Sequence, residues 1–254
     1  MKTLLAGLLA FLLLAPSAMA APEFPALSGR VVDGANILSP ATEQALTGKL
    51  AGLEAATSRQ LVVVTVPSLG GYEISDYGYQ LGRHWGIGQG KLNNGALLIV
   101  APGERRVRIE VGYGLEPILT DAMSSVIINT RITPRFRQGD YDGGVTAGVD
   151  ALIEQMTLEP SEAEKRAAAA AQQLRDGGED GAGGFGAVVL ILLVLFFLFG
   201  RNTALWPLLF LVAGSGRGGG YGGGWGGGGR GGFGGGGFRG GGGSFGGGGA
   251  SGGW

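Results

Sequence analysis

Glycine is concentrated at the C-terminal end of this chain of 254 residues, where residues 214–254 contain 28 of the 55 glycines. Such a segment has too few apolar side chains to bury a core of its own, and we therefore expect a disordered tail there. The tail is not collagen, because it has neither a Gly-X-Y period nor proline. Any hydrophobic core must then be built from the residues that precede position 214.

The residue types that the chain lacks exclude several kinds of site. It has no cysteine and one histidine, so neither a disulfide scaffold nor a Cys/His zinc site can form. Gly86, Gly88 and Gly90-Lys91 superficially resemble a phosphate-binding loop. Such a loop lies between a strand and a following helix, whereas the order expected here is helix, loop, strand, and we expect no nucleotide cofactor. We expect the histidine, His84, at the surface or in packing.

Two apolar segments indicate export and attachment to a membrane. Residues 1–20 have the basic, apolar and small-residue regions of a secretory signal peptide. Residues 185–213 form a second hydrophobic region, whose first run, Phe185–Phe199, is slightly short of the ~20 residues that a spanning helix needs. One span that ends near Arg201 fits this pattern, and so do two short spans that form a hairpin.

The distribution of charge favours the single span. Residues 185–254 contain four arginines and no acidic residue, and basic residues favour the cytoplasmic side of a membrane. With the N-terminal part exported, we expect a bacterial inner-membrane protein with its globular domain in the periplasm and its tail in the cytoplasm. The few arginines of the tail are a weak electrostatic footprint, so we expect no nucleic-acid partner.

Residues 24–158 have the alternating helices and strands of an α/β domain. Ser39-Pro40 is typical of a helix start, and the β-branched run Leu61–Val66 predicts a strand that is buried on both faces. The later elements are a helix with apolar residues from Ile74 to Trp85, a hairpin of strands at 96–100 and 106–111, a helix capped by Thr120-Asp121 and a helix capped by Asp142. This order predicts a three-layer α/β/α sandwich with a mixed sheet.

Two segments are expected to be largely exposed. The strand at 106–111 alternates, so Val107 and Ile109 should face the core while Arg106, Arg108 and Glu110 face solvent. Residues 159–184 predict a helical stalk followed by an acidic glycine linker, because the alanine-rich part has high helix propensity but no apolar face for a core.

Oxygen-bearing side chains near the ends of the expected elements are the candidates for chemistry. The acids are Asp33, Glu110, Glu116, Asp121 and Asp140, and Asn93-Asn94 adds amide oxygens just before a strand. Carboxylate and amide oxygens are the ligands that Ca²⁺ and Mg²⁺ prefer. A metal held there could clamp a phosphoryl group with Arg106 or Arg108 as its anion partner. Each acid can equally be a helix cap or a solvated surface charge.

Several segments, taken in order, resemble the TPM-domain family, which is also named as a phosphatase domain. They are VVDGANILSP (31–40), LVVVTV (61–66), HWGIGQGKLNNGALLIVAPGERRVRIEVGYGLE (84–116), LTD (119–121) and FRQGDYDGGV (136–145). The order of signal peptide, domain, membrane segment and glycine-rich tail also resembles bacterial members, and so does the closing string GGGGSFGGGGASGGW (240–254).

The resemblance implies an α/β sandwich and maps the acidic positions of the family onto Asp33, Asp121 and Asp140. Acid phosphatase activity has been assigned to plant relatives in the thylakoid lumen, and calcium binding is associated with some members. Many relatives have Asp-Asn-Gly before the strand at 96–100, where this chain has Asn93-Asn94-Gly95. This difference removes one carboxylate from that loop.

The leading hypothesis is a periplasmic domain tethered to the inner membrane, which binds membrane or envelope proteins in their maintenance. A divalent cation, Ca²⁺ or Mg²⁺, is the candidate cofactor, and its candidate ligands are Asp33, Asn94, Asp121 and Asp140. The alternative is a metal-assisted acid phosphatase that acts on a small phosphomonoester, with Asp33, Asp121 and Asp140 as candidate catalytic residues.

Overall fold

The computed structural model describes residues 22–176 and 238–254. The signal peptide expected at residues 1–20, the hydrophobic region at 185–213 and most of the glycine linker and tail lie outside these described residues. Within them, no helix is both long and apolar enough to cross a membrane.

A five-stranded mixed sheet forms the centre of the domain. Its strands are β1 (Val31–Asp33), β2 (Gln60–Thr65), β3 (Gly95–Ala101), β4 (Arg106–Gly112) and β5 (Phe245–Gly253), and they lie side by side in that order. The first three strands are parallel, whereas β4 is antiparallel to both of its neighbours. The mixed α/β class, the mixed sheet and the β3–β4 hairpin are confirmed.

Helices connect the strands. They are α1 (Pro40–Thr57), α2 (Ile74–Trp85), α3 (Asp121–Ile127), α4 (Thr133–Phe136), α5 (Tyr141–Thr157) and α6 (160–176), with a π-helical turn, Ile128–Ile132, that joins α3 to α4. Ser39 caps α1 and Thr120 caps α3, each through a side-chain oxygen that accepts a backbone N–H, as the sequence predicts.

The helices cover both faces of the sheet. Successive side chains of a strand point to opposite faces, and β2 places Val62 and Val64 in one hydrophobic cluster and Leu61 and Val63 in another. Helix α2 completes the first cluster, and helices α1 and α5 contribute to the second. The expectation that β2 is buried on both faces is therefore confirmed.

The cap of α5 differs from the expectation. Asp140, not Asp142, is the N-cap, and its carboxylate accepts a hydrogen bond from the backbone N–H of Gly143. Asp142 instead accepts a hydrogen bond from the backbone N–H of Ser39, at a distance of 2.9 Å. That bond is the main reason why the pKa of Asp142 is lowered. Asp142 thus ties the start of α5 to the start of α1.

The alanine-rich segment after α5 is not a free stalk as far as residue 176. Ala163, Ala167 and Ala170 of α6 are buried in the same cluster as α1 and α5. The buried amide of Gln155 also donates a hydrogen bond to the carbonyl of Ala163. The expectation was wrong because alanines spaced three and four residues apart form a narrow apolar face that fits closely against a neighbouring helix.

The expectation of a disordered tail over 214–254 is wrong for its last residues. Residues 245–253 form β5, although six of these nine residues are glycine. A glycine-rich segment cannot build a core, but it can pair its backbone with the edge of a sheet that already has one. The edge that it pairs with is β4.

Candidate binding groove

The edge of β4 and the helical segments beside it form a groove that β5 occupies. We call it the strand groove and define it by β4, by α2 on one face of the sheet and by residues 128–141 on the other. β5 pairs antiparallel with β4 from Arg106↔Gly253 to Val111↔Gly248, and the register then shifts so that Gly112 pairs with Phe245. Six successive antiparallel pairs satisfy the backbone groups that an exposed β4 edge would leave open.

Phe245 anchors the first end of β5. Its side chain is fully buried in the cluster formed with α2. The ring lies directly over Gly82, where an added Cβ would come within 2.7 Å of it. Arg83 donates a hydrogen bond from Nε to the Phe245 carbonyl, at 2.7 Å. Gly82 therefore serves as the floor of an aromatic pocket, which explains a glycine in the middle of a helix.

Trp254 anchors the other end, on the opposite face of the sheet. Its ring packs edge-on against Phe136, with centroids 4.6 Å apart, and lies 6.1 Å from the ring of Tyr141. Gly252 lies against the side chain of Ile128. Aromatic pairs in this geometry add to the free energy of simple burial, so β5 is held at both ends by rings and between them by its backbone.

Gly249 requires glycine for two reasons. Its φ is +115°, in the region that residues with a Cβ rarely adopt. A Cβ there would also collide with the backbone carbonyl of Ile109 on β4. Gly253, by contrast, has room for a Cβ, since its nearest neighbour would be 3.4 Å away. The two positions form a matched pair for mutagenesis.

Two of the three polar side chains of β4, Arg108 and Glu110, are buried, which corrects the expectation that they face solvent. Arg108 is 4% exposed and Glu110 is 0% exposed, and Arg108 Nε donates to Glu110 Oε2 at 2.5 Å. Arg108 also donates to Ser251 Oγ at 2.9 Å and to the Gly247 carbonyl at 2.7 Å. The pattern of β4 misled because α2 and β5 cover its polar side chains. Arg106 is exposed, as expected.

The buried pair of Arg108 and Glu110 includes a carboxyl group whose pKa lies near neutral pH. Burial raises the pKa of Glu110 to about 7, against the opposing effect of Arg108. Because a buried carboxylate is costly unless it is paired, the charge state of Glu110 is linked to how completely β5 and α2 cover it.

Asp33 lies at the end of β1, away from the strand groove. Its carboxylate accepts hydrogen bonds from the backbone N–H groups of Ile37 and Leu38 and from the hydroxyl of Thr65. These contacts fix the loop that leads into α1. Asn94 is also occupied by backbone groups, since its side chain accepts from Gln89 N–H and donates to the Ser58 carbonyl.

Asp121 contacts the strand that occupies the strand groove. Its carboxylate accepts a hydrogen bond from the Gly249 N–H at 2.7 Å. With Glu116 and Glu164 it lines a surface cavity of about 620 Å³. Asp140 caps α5, and its Oδ2 also lies 3.7 Å from Nη1 of Arg135.

The structure does not gather the candidate ligands at one place. Within residues 22–176 and 238–254, no group of three or more His, Asp or Glu side chains is placed to hold a metal ion. The metal and catalytic roles of Asp33, Asn94, Asp121 and Asp140 stay predictions. His84 is exposed, and its ring centroid lies 5.2 Å from that of Phe24.

The strand groove is not predicted from the sequence, although the sequence contains two signals for it. Gly78 and Gly82 are four residues apart on the apolar face of α2, which leaves a smooth surface facing the sheet. Phe245 and Trp254 bracket a run of eight small residues, a length that suits one strand. Neither signal shows in hydropathy, because each depends on small residues.

Comparison with known proteins identifies relatives of the N-terminal part. A model of the TPM domain matches residues 31–155. The solved N-terminal domain of a protein from P. gingivalis is 40% identical to this chain. The alignment covers 51% of this chain and 82% of that domain, with a TM-score of 0.48. No curated protein matches the sequence.

Two other solved structures are more distant. The N-terminal domain of a protein from Corynebacterium glutamicum is 19% identical, covers 55% of this chain and 88% of its own, and gives a TM-score of 0.42. A protein from the psychrophilic bacterium Bizionia argentinensis is 21% identical. Its alignment covers 47% of this chain and 81% of that protein, and the TM-score is also 0.42. The match to the TPM domain ends before β5, so the groove lies within the matched range and its occupant outside it.

Proposed function

Because the chain belongs to the TPM domain family through residues 31–155, we propose that it is an exported, membrane-tethered binding module whose binding element is the strand groove. The observation that carries this proposal is the position of β5. This segment lies outside the family match and runs along β4, and an aromatic ring at each of its ends packs against the domain. Its partners are extended, glycine-rich segments of membrane or envelope proteins.

The chemistry of the groove suits such partners. An exposed strand edge binds an extended chain through its backbone and selects it through pockets for particular side chains. Here one pocket takes Phe245 over Gly82, and a second site takes Trp254 beside Phe136. Between these ends, Arg108 offers donors to a hydroxyl and to a backbone carbonyl.

The pairing of β4 with β5 also bears on the membrane tether. Two strands of one sheet lie in one compartment, which supports the placement of residues 22–176 and 238–254 on the same side of a membrane. A single span within 185–213 would separate them. Their pairing supports the hairpin of two short spans, with the C-terminal strand in the periplasm rather than in the cytoplasm.

Labelling of single cysteines tests this topology, because the chain has no native cysteine. Gln44→Cys on α1 and Gly253→Cys on β5 both place the thiol at an exposed position. We expect a membrane-impermeant maleimide to label both variants in spheroplasts. Labelling of Gly253→Cys only after lysis would place the tail in the cytoplasm and contradict the proposal.

Binding itself is tested with residues 21–176 and a fluorescent peptide of residues 238–254. Every element that defines the strand groove lies within residues 31–155, the range of the TPM domain, which supports the use of the domain alone. We expect the Gly249→Ala peptide to bind at least ~10-fold more weakly than the native peptide. The Gly253→Ala peptide should bind within about 2-fold of it. The proposal would be contradicted if all three peptides bound equally well, or if none of them bound.

The competing hypothesis is a metal-assisted acid phosphatase, and it predicts a different experimental result. It requires turnover of a phosphomonoester in Mg²⁺ or Ca²⁺ that is lost in Asp33→Asn. Asp33 holds the loop before α1 through two backbone N–H groups, so the thermal midpoint of the variant must be measured beside its activity. Metal-dependent turnover that Asp33→Asn abolishes in a folded domain would favour the enzyme.

A further inference from the structure

We propose that the strand groove accepts the C-terminal strand of a second copy of this chain, so that neighbouring copies are linked by exchange of β5. This inference rests on the proposed function, because it takes the groove to be a binding site. The occupant is residues 238–254 of another copy, and the surface is the edge of β4 with the sites that take Phe245 and Trp254.

The covalent connection does not restrict β5 to the groove of its own chain. Residues 177–237, which join the two described parts, number 61. In the proposed tether residues 185–213 lie in the membrane, so the reach comes from residues 177–184 and 214–237, 8 and 24 residues, or 32 in all. A segment of that length can extend to ~100 Å, several times the width of a small domain. The link therefore allows β5 to reach its own groove or that of a neighbour.

The contacts that hold the segment all lie within residues 238–254 and the domain. They begin at Phe238, over which the guanidinium of Arg30 lies at 4.6 Å, and they end at Trp254 against Phe136. Between them, Phe245 rests on Gly82. A strand from a second copy would make the same contacts, so exchange loses no interaction; this is the basis of domain swapping in general.

The fit is selective, and a second copy meets it by identity of sequence. The occupant must have an aromatic ring at each end, glycine where β5 has Gly249 and a hydroxyl opposite Arg108. Residues 245–254 supply all of these in every copy. Copies tethered to one membrane also meet at a raised local concentration, which favours exchange over binding of a dilute partner.

Cysteine cross-linking in the full chain tests the proposal. Arg106 and Gly253 are exposed and directly paired between β4 and β5. Opposed residues of antiparallel strands have Cα atoms about 4.5–5.5 Å apart, within the range of a disulfide. We would express Arg106→Cys and Gly253→Cys on separate, differently tagged copies in the same membrane, oxidise them and run a non-reducing gel.

If copies exchange β5, a disulfide-linked dimer that carries both tags should form. This dimer should be lost when Gly249→Ala is added to the Gly253→Cys copy. The control replaces Arg106→Cys by Gln44→Cys on α1, which is exposed but lies on another element, and it should give no dimer. A third chain carries both Arg106→Cys and Gly253→Cys.

The outcomes separate the two proposals. If the double variant forms its disulfide only within one chain, and the separate copies give no dimer, the exchange is overturned while the groove stands. If no disulfide forms in any combination, the groove and the exchange both fail. A mixed dimer that persists with Gly249→Ala would arise from chance collision and would also overturn the exchange.

Discussion

β3 and β5 flank β4 on its two sides, and they are held there by different forces. β3 is a run of buried aliphatic residues that places Leu98 in one hydrophobic cluster and Leu97 and Ile99 in the other. In β5, Phe245 is the only buried side chain. Burial of apolar area therefore fixes β3, whereas backbone pairing and two end anchors fix β5. A strand held in this way can leave while the rest of the domain stays folded.

The largest expected effect comes from β3. Leu98 is fully buried between helices and sheet, so Leu98→Ala should leave a cavity and lower the free energy of unfolding of the whole domain by ~2–5 kcal/mol. Urea denaturation followed by circular dichroism measures this loss. A loss below ~0.5 kcal/mol would mean that β3 is no more essential to the core than β5, and the contrast between the two strands would fail.

The second effect concerns the carboxyl group that α2 and β5 cover together. The pKa of Glu110 is raised from 4.5 to about 7 by burial. Below pH 4.5 the group is protonated in the folded and unfolded states alike and has no effect on pH dependence. As pH rises from 4.5 to 7 the unfolded chain releases the proton first, so stability falls across that window and the loss is complete above it.

The variant Glu110→Gln removes this titration. We expect the wild type to lose stability relative to Glu110→Gln between pH 4.5 and 7, by on the order of 1–3 kcal/mol. The measurement is the difference between their urea-unfolding free energies as a function of pH. A chain that ends before residue 238 should have a weaker pH dependence, because Glu110 is then less covered. A difference that is flat with pH would argue against the buried carboxyl group.

The smallest effect is the most specific to β5. Gly82→Ala raises the helix propensity of α2 by about 1 kcal/mol, but its Cβ would lie 2.7 Å from the Phe245 ring. We expect β5 to be released while the domain loses no more than ~1–2 kcal/mol. The change in tryptophan fluorescence relative to the wild type reports release, because the Trp254 ring would leave Phe136 and Tyr141 for water while the other three tryptophans are common to both chains. Gly48→Ala, in open space on α1, is the matched control and should not alter the fluorescence.

The sequence predicts the parts of the fold that side-chain patterns encode. The cap at Ser39, the buried run of β2 and the apolar face of α2 are signalled locally, and each is confirmed. β5 and the burial of Arg108 are not signalled in this way. A glycine strand has no hydropathy period, and part of the cover on Arg108 comes from β5, more than 130 positions away in the chain. Such pairings depend on tertiary context that a local pattern does not contain.

The candidate acids illustrate the same limit at the level of the site. Their types and positions at the ends of elements predicted oxygen ligands, and Asp140 is a cap, as the competing interpretation held. Asp121 has a role that sequence could not indicate, since its partner is the backbone of Gly249 in β5. Which carboxylate meets which backbone group is decided by the order of strands in the sheet.

Hydrogen–deuterium exchange on the full chain tests most directly whether residues 245–253 form the fifth strand. Their amides should exchange at least ~10-fold more slowly than those of the isolated peptide of residues 238–254, which corresponds to ~1.4 kcal/mol of docking free energy. Deletion of residues 238–254 should expose the amides along the β5 side of β4 and leave those shared by β2 and β3 protected. Exchange of residues 245–253 at the rate of the free peptide would mean that they do not pair with β4.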